Sequence, residues 1–306
     1  MNESSEKAGR IVSEVRSEAI KLIKDGLPII DLIDFVETSI IKKGGFPAFP
    51  CNVSINEIAA HYTSPPGDTN TIKAGDLVKL DLGAHVDGYI GDSAISVLVD
   101  GYEGMDGYPI ERAETNLELI EAASDGLDAA ISTVRAGATL GQIGSAVEEA
   151  ITNHGFRPGA NLTGHSLTQW NLHAGLSVPS ISERNDHALE EGDVIAIEPF
   201  ATDGLGYVTD MPQSYIFKYL RERPLRMTHA KKVLRSIKTD FKTLPFAQRW
   251  LLDDYEVNRL HASMRLLSQH MIIYPYSVLK EKENGIVSQK EHTVRVEADG
   301  CTILTK

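Results

Sequence analysis

A seven-residue phrase occurs twice in this chain of 306 residues, and the repeat constrains the fold more than any other feature. The copies are residues 75–81 and 192–198. Each begins Gly-Asp, continues with mainly apolar residues and ends on a carboxylate six positions after the glycine. Each also follows helical sequence and precedes a glycine-containing turn. The repeat predicts a duplicated αβ unit whose two copies bring one carboxylate each to a shared centre.

Sequence segments with helical periodicity lie near both copies of the repeat. Apolar residues recur three and four positions apart in four segments, and glycine, which favours the left-handed conformation after a helix, follows two of them at Gly44 and Gly155. The predicted helices are residues 5–24, 29–43, 109–134 and 140–154. Residues 46–76, rich in Pro, Gly and polar side chains, predict loops and short strands.

The sequence departs from the repeat after the second copy. Residues 222–273 have helical periodicity, with Phe241, Phe246 and Trp250 among the candidate core residues. Strand composition returns only at residues 293–296, directly after Glu291. Because a candidate functional residue lies beyond the helical segment, we expect an insertion within the second half of one domain spanning residues 1–306.

Five side chains of the types that bind divalent metals lie in distinctive local sequences. They are Asp81, Asp92, His165, Glu198 and Glu291. Carboxylates can bridge two cations and cancel most of their charge, and an imidazole suits a first-row transition metal. The set therefore predicts a site for two divalent ions.

Asp81 and Asp92 fall in a predicted β-hairpin. Residues 77–82 and 89–99 have strand composition, and residues 86–88 form a turn signal between them. Pairing about positions 86 and 87 would place the two aspartates directly opposite, with Cβ atoms about 4.5–5.5 Å apart. Two ionised carboxylates so close repel each other, so a cation must lie between them or one must stay protonated.

The remaining candidates are weaker when each is taken alone. Glu198 precedes Pro199, where strand pairing is expected to change. Taken in isolation, Glu291 is better explained as a solvent-facing edge charge than as a ligand. A lone histidine is more often structural than a ligand, although His165 and His173 lie in a non-helical stretch beside glycine. His61 carries no independent signal.

Composition and missing motifs narrow the classes of function. The net charge of −13 argues against nucleic acid, because phosphate binding needs clustered Lys and Arg. Two cysteines without a CxxC motif fit a reducing compartment and exclude a thiolate zinc site. No apolar run reaches the roughly 18 residues that span a bilayer. Signatures of serine hydrolases, phosphate loops, dinucleotide sites and HExxH zinc proteases are also missing. We expect a cytoplasmic protein.

At these residues the chain resembles the methionine aminopeptidases, and in particular their type II branch in the archaeal form without an N-terminal extension. The five candidate ligands match the family in order, residue type and local sequence. His61 and His173 match its two further active-site histidines. The position of the insertion, the similarity of residues 241–251 to a type II signature and the Gly-His-Ser-Leu context of His165 favour type II.

The resemblance implies an α+β pita-bread fold, in which two pseudo-symmetric αβ halves surround a dinuclear metal centre. It implies removal of the initiator methionine from nascent proteins when the second residue is small, by a metal-bound hydroxide. The implied cofactors are two divalent cations of cobalt, manganese, iron or zinc. The implied partner is the N-terminal peptide of nascent proteins at the ribosome, with no specific nucleic acid, no membrane and a monomeric chain.

The resemblance also assigns roles to individual residues. Asp81 would bind one ion, His165 and Glu198 the other, and Asp92 and Glu291 both. Glu198 would shuttle the proton, while His61 and His173 would orient the substrate and steady the tetrahedral intermediate.

Other residues are implied to form the methionine pocket. Phe49 and Leu172 would line it, together with either Tyr274 or Tyr276. Pro245 stands where the family carries a small residue, and the family's pocket histidine after Glu198 has no counterpart near residues 214–215.

Two alternatives share the same fold. One is an Xaa-Pro peptidase with the same centre, which a comparison of Met-Gly-type peptides with Xaa-Pro dipeptides would identify. The other is a non-catalytic pita-bread protein that binds ribosomes or nucleic acid. The complete ligand set and the net charge of −13 weigh against the second.

Overall fold

The fold consists of two β-sheets, each packed against helices, and a third unit that contains both helices and strands. The structure is a computed structural model that describes residues 3–103 and 109–306. The helices of the described residues are α1 (Glu3–Ala19), α2 (Ile29–Lys42), α3 (Ile110–Thr133), α4 (Leu140–Asn153), α5 (Thr228–Ser236) and α6 (Val257–Gln269). Their strands are β1 (Phe46–Pro47), β2 (Asn52–Ile55), β3 (Ile58–Ala60), β4 (Leu77–Val86), β5 (Tyr89–Leu98), β6 (Arg157–Pro158), β7 (Thr163–Ser166), β8 (Ser177–Pro179), β9 (Val194–Ile197), β10 (Phe200–Thr202), β11 (Val208–Tyr219), β12 (Phe246–Ala247), β13 (Ile273–Glu281), β14 (Val287–Gln289), β15 (His292–Glu297) and β16 (Gly300–Ile303).

The first half places α1 and α2 behind a sheet centred on β4. Strand β4 pairs antiparallel with β5, β2 and β1. The apolar faces of both helices, such as Val12 and Ile33, are fully buried against strand residues such as Leu80. The four predicted helices are confirmed, except that the first leaves the α conformation at Ala19 and ends in a 3₁₀ turn, Ile20–Leu22.

The second half repeats this arrangement. Helices α3 and α4 lie behind a five-stranded sheet of order β16-β15-β9-β7-β8. Their buried residues, including Leu127 and Ile143, form one core with Ile195 of β9. Each half thus has two helices followed by several strands, among them an antiparallel pair, β2 with β4 in the first half and β7 with β9 in the second.

The repeated Gly-Asp phrase forms the same turn in both halves. Gly75 and Gly192 both have positive φ, at 81° and 95°. The carboxylates of the following residues, Asp76 and Asp193, each accept a backbone N–H three positions upstream, at 2.8 and 2.9 Å. Each turn also bonds the end of a partner strand, at Val99 in one half and Val296 in the other. Matching hydrogen bonds at matching positions confirm the predicted duplication.

The register predicted for the β4–β5 hairpin is wrong. Its turn is Asp87-Gly88, which has positive φ at both positions, as a type I′ turn requires. Val86 therefore pairs with Tyr89, and Asp81 lies opposite Ala94 instead of Asp92. Because Asp92 is two positions from Ala94, the two aspartates still share one face of the sheet.

The predicted insertion is mainly helical but not entirely so. Helices α5 and α6 are joined by the π-helical segment Ile237–Phe241, the strand β12 and the 3₁₀ turn Gln248–Leu251. Strand β12 adds to the sheet β12-β11-β13-β3. Since β3 belongs to the first half and β11 and β13 to the second, this sheet joins the halves. No helix of the residues that the structure describes is long and apolar enough to cross a membrane.

Candidate metal centre

The residues proposed for the site from the sequence converge on one cavity of about 60 Å³. All five candidate ligands and both further histidines line it, as do Phe49 and Leu172 from the predicted methionine pocket. Its lining consists of Phe49, Asn52, Ala60, His61, Asp81, Asp92, His165, Leu172, His173, Glu198, Ile216, Pro245, Tyr276 and Glu291. Segments separated by more than 200 residues in the chain thus meet at a single point.

The first half supplies two carboxylates from one sheet face. Asp81 lies in the middle of β4 and Asp92 near the start of β5. Asp92 is fixed at its backbone by Thr293 of the second half, whose hydroxyl accepts its N–H at 2.8 Å and donates to its carbonyl at 2.9 Å. Contact between the halves therefore sets the position of this side chain.

The second half supplies the other three candidate ligands from adjacent strands. His165 pairs with Ala196 of β9, and Glu198 follows two positions later, so both lie on one face. His292 pairs with Ile197, and the same register continued by one residue brings Glu291 opposite Glu198. Glu291 also donates its backbone N–H to Ala94 of the first half, at 3.0 Å.

Distances across the cluster suit a shared cation. His165 Nε2 lies 3.7 Å from Asp92 Oδ2 and 3.7 Å from Glu198 Oε1. One ligand atom each from Asp92, His165 and Glu291 can be chosen so that all lie within 4.8 Å of one another. These separations bring oxygen and nitrogen donors around a single point, where a divalent ion at roughly 2.0–2.2 Å from each could bind after small adjustments.

The electrostatics of the cluster are unfavourable without a cation. Burial raises the pKa of Asp81 to about 7. Burial also raises the pKa of Asp92 well above its ordinary value, and the charges of Asp81 and Glu198 raise it further. The pKa values of Glu198 and Glu291 rise for the same reasons, with Arg16 opposing the shift at Glu291. Burial lowers the pKa of His165 to about 4, so its ring is neutral and can bind a metal.

Unsatisfied polar atoms provide a separate test of whether the residues fit a metal. Asp81 Oδ1, Asp92 Oδ1 and His165 Nδ1 are buried without a hydrogen-bond partner. Buried polar atoms in proteins are nearly always hydrogen-bonded, so two such carboxylate oxygens in one cavity require another partner. Four carboxylates and one neutral imidazole are a donor set that fits divalent transition metals.

The two further histidines lie beside the ligand cluster. His61 has a positive φ of 65° and its Nδ1 lies 3.0 Å from the Ser277 carbonyl, to which it can only donate. Burial lowers the His61 pKa, so the neutral ring presents Nε2 to the cavity as an acceptor. The His173 ring also lines the cavity, 4.4 Å from the ring of His165, and burial lowers the pKa of His173 to about 3.

An apolar pocket adjoins the ligands. Phe49 packs so closely over β4 that a Cβ added at Gly83 would lie 2.2 Å from its ring, so this position requires glycine. Tyr276 lines the cavity, whereas Tyr274 is 44% exposed. The insertion contributes Pro245 as a further wall.

The sequence analysis missed three residues of the cavity, Asn52, Ala60 and Ile216, of which Ala60 directly precedes His61. Asn52 is buried and pairs directly with Asp81 across β2 and β4, yet its Oδ1 has no hydrogen-bond partner. Only the register of β2 against β4, which the sequence analysis did not predict, places Asn52 beside Asp81. Ile216 of β11 lies opposite Tyr276, beyond an irregular strand pairing that no local signal announces.

Comparison with known proteins identifies close relatives. Residues 3–224 match the family described as Metallopeptidase family M24. The methionine aminopeptidase of Methanothermobacter thermautotrophicus is 58% identical over 306 residues, which cover 100% of this chain and 99% of that protein.

Solved structures show the same fold at lower identity. A structure described as a thermophilic Arx1 gives a TM-score of 0.83 at 18% identity, covering 98% of this chain and 89% of that chain. The methionine aminopeptidase of Thermotoga maritima gives 0.69 at 21% identity, covering 98% and 94%. The predicted pita-bread fold is confirmed.

Proposed function

We propose, because this chain belongs to the methionine aminopeptidases of metallopeptidase family M24, that it removes the initiator methionine from nascent proteins whose second residue is small. The observation that carries this function is that a buried carboxylate and histidine cluster and a set of apolar side chains line one cavity. The expected catalytic unit is one domain over residues 1–306, with residues 222–273 as the type II insertion.

Two divalent cations would be held by the five ligands. Asp81 would bind one ion, His165 and Glu198 the other, and Asp92 and Glu291 both. Bound ions of cobalt, manganese, iron or zinc would lower the pKa of a bound water toward neutrality and polarise the scissile carbonyl. The unsatisfied oxygens of Asp81 and Asp92 support this assignment.

The chain's own residues would orient the substrate and move protons. Glu198 would take a proton from the attacking water and pass it to the leaving amine. His61 would accept a hydrogen bond from a substrate N–H through Nε2, since Nδ1 donates to Ser277. Neutral His173 would donate to the developing negative charge on the carbonyl oxygen.

The walls of the cavity support the substrate preference. Phe49, Leu172, Ile216 and Tyr276 form an apolar slot suited to an unbranched methionine side chain. We expect a monomeric chain in the cytoplasm, acting on N-terminal peptides as they emerge from the ribosome.

Peptide hydrolysis tests the function. With a divalent transition metal, the protein should cleave methionine from Met-Ala-Ser and Met-Gly peptides, reject Met-Lys and Leu-Gly peptides, and lose activity in chelator until metal is restored. Release of the first residue from Xaa-Pro dipeptides without cleavage of Met-Gly would establish the Xaa-Pro alternative instead. Full activity after prolonged dialysis against chelator would contradict a metal-dependent reaction.

A further inference from the structure

Positive charge is concentrated in one segment of this acidic chain. Residues 221–238 contain seven Lys and Arg residues against a single acidic residue, Glu222. The segment thus carries a net charge of +6, whereas the rest of the chain carries −19. All seven cations are exposed. The net charge of −13 is a sum over the whole chain, so the earlier argument from it against nucleic acid does not apply to this basic segment.

The fold gathers four of these cations around one groove of about 850 Å³, here called the basic groove. Lys231 and Arg235 of α5 and Lys238 just beyond it lie four and then three residues apart, so they share one helix face. Arg223 lies on the incoming segment that forms the other wall. Cations therefore line both sides of the groove.

These cations have few counter-ions in the protein. Glu222 is ion-paired with Lys238 at 2.5 Å. No ion pair among the described residues joins Arg223, Lys231 or Arg235 to a carboxylate. Uncompensated charges at this density attract a polyanion.

The helix that carries the groove is held rigidly by its packing. The opposite face of α5 is buried, with Val233 and Ile237 fully inaccessible and packed in one core with Leu260 of α6. Backbone movement is therefore not needed to present the cations.

The groove lies close to the candidate metal centre. Strand β11 carries Ile216 in the wall of the cavity and ends at Tyr219, whose ring centroid is 5.6 Å from Lys238 Nζ. Three strand residues span about 10 Å. Side chains three positions apart on a strand point to opposite faces, so the groove and the cavity lie on opposite sides of this sheet.

We propose that the basic groove binds the phosphate backbone of RNA without reading its sequence. Two of the four groove cations, Arg223 and Arg235, are arginines, whose planar guanidinium groups pair bidentately with phosphates. The acidic remainder would repel the same polyanion and so orient the protein with the groove toward it. The choice of RNA rests on the proposed function, since nascent chains emerge at an RNA-rich surface.

Fluorescence polarisation with a labelled 20-base-pair RNA duplex tests the proposal on the full chain. The test variant combines Arg223→Glu, Lys231→Glu and Arg235→Glu. The control combines Lys21→Glu, Lys24→Glu and Lys73→Glu, which change the net charge equally at exposed positions outside the groove. We expect the test variant to bind RNA at least tenfold more weakly at 50 mM KCl, with the control close to wild type. The slope of log affinity against log salt should fall in magnitude by about 2–3, since each lost phosphate contact removes roughly 0.7–0.9.

Three results would overturn the proposal: no RNA binding by the wild type at 50 mM KCl, equal weakening by the two variants, or displacement of RNA by an equal concentration of oligoglutamate, which would identify an acidic protein as the partner. Cleavage of Met-Ala-Ser, measured on the same preparations, reports the proposed function separately. A wild type that binds RNA yet cleaves no methionine would refute the peptidase and leave the groove intact.

Discussion

At the scale of single residues, burying the carboxylates proposed as metal ligands destabilises the fold when no metal is bound. Burial and the charges of Asp81 and Glu198 raise the pKa of Asp92. The folded state therefore holds more protons than the unfolded state between about pH 4 and the raised pKa. The free energy of unfolding should fall as the pH rises through that window.

Asp92→Asn isolates this effect because it removes the charge and keeps the shape. In chelator, the variant should be more stable than the wild type at pH 8, and its advantage should shrink as the pH falls toward 5. With excess Mn²⁺ the order should reverse, since the variant loses a ligand. Urea unfolding at each pH measures both differences, and an advantage in chelator that does not vary with pH would refute the assigned pKa shift.

His61 should separate substrate handling from metal binding. His61→Ala should keep its metal but lower kcat/KM about 10- to 100-fold, which is the value of one hydrogen bond to a buried group. Asp92→Asn, the matched ligand variant, should lose both metal and turnover. Elemental analysis beside steady-state kinetics checks the pair. Loss of metal from His61→Ala, or its full activity, would show that the role of His61 is misassigned.

At the scale of elements, one buried carboxylate fastens the insertion to the first half. Glu37 of α2 accepts hydrogen bonds from the Arg249 guanidinium, from Trp250 Nε1 at 2.7 Å and from the Cys51 backbone N–H at 3.1 Å. Burial raises the pKa of Glu37, and the nearby Arg249 charge opposes the shift. This contact connects the segment that carries Pro245 to the strand that follows Phe49.

Removing this carboxylate should therefore be costly. Glu37→Ala leaves the buried Arg249 guanidinium without its counter-ion and with only the Thr63 hydroxyl as hydrogen-bond acceptor, which costs about 3–5 kcal/mol. Asp186→Ala provides the control, because the Arg184–Asp186 pair is 92% and 82% exposed and should be worth at most about 1 kcal/mol. Urea denaturation gives both values. Similar losses for the two variants would mean that the buried contact does not hold the insertion in place.

The insertion also limits what sequence periodicity can predict. Its helices were predictable from apolar spacing, but β12 has only two residues and no alternation to detect. Its strand state comes from pairing with Ile216 and Phe217 of β11, a contact set by the tertiary fold.

At the scale of the whole molecule, the repeated phrase predicted the two halves because a Gly-Asp turn is a local structure with its own hydrogen bonds. The hairpin register was missed by two positions because the choice between residues 86–87 and 87–88 depends on which pair adopts positive φ. The prediction that Asp81 and Asp92 lie on one face was still correct, because strand side chains alternate with a period of two and the register error was two positions. Asn52 and Ile216 reach the cavity only through strand pairing between distant segments, which the sequence does not encode locally.

The division of the ligands between the halves bears on how such a centre arises and how it is lost. Asp81 and Asp92 come from one half, and His165, Glu198 and Glu291 from the other, so neither half alone offers a complete set. A single ancestral unit could set its carboxylate against a second one only by pairing with another copy of itself. Fusion of two genes would make that encounter permanent and let the copies diverge, one keeping aspartates and the other gaining an imidazole. Because a truncation that deletes either copy removes part of the proposed ligand set, we expect it to abolish activity completely.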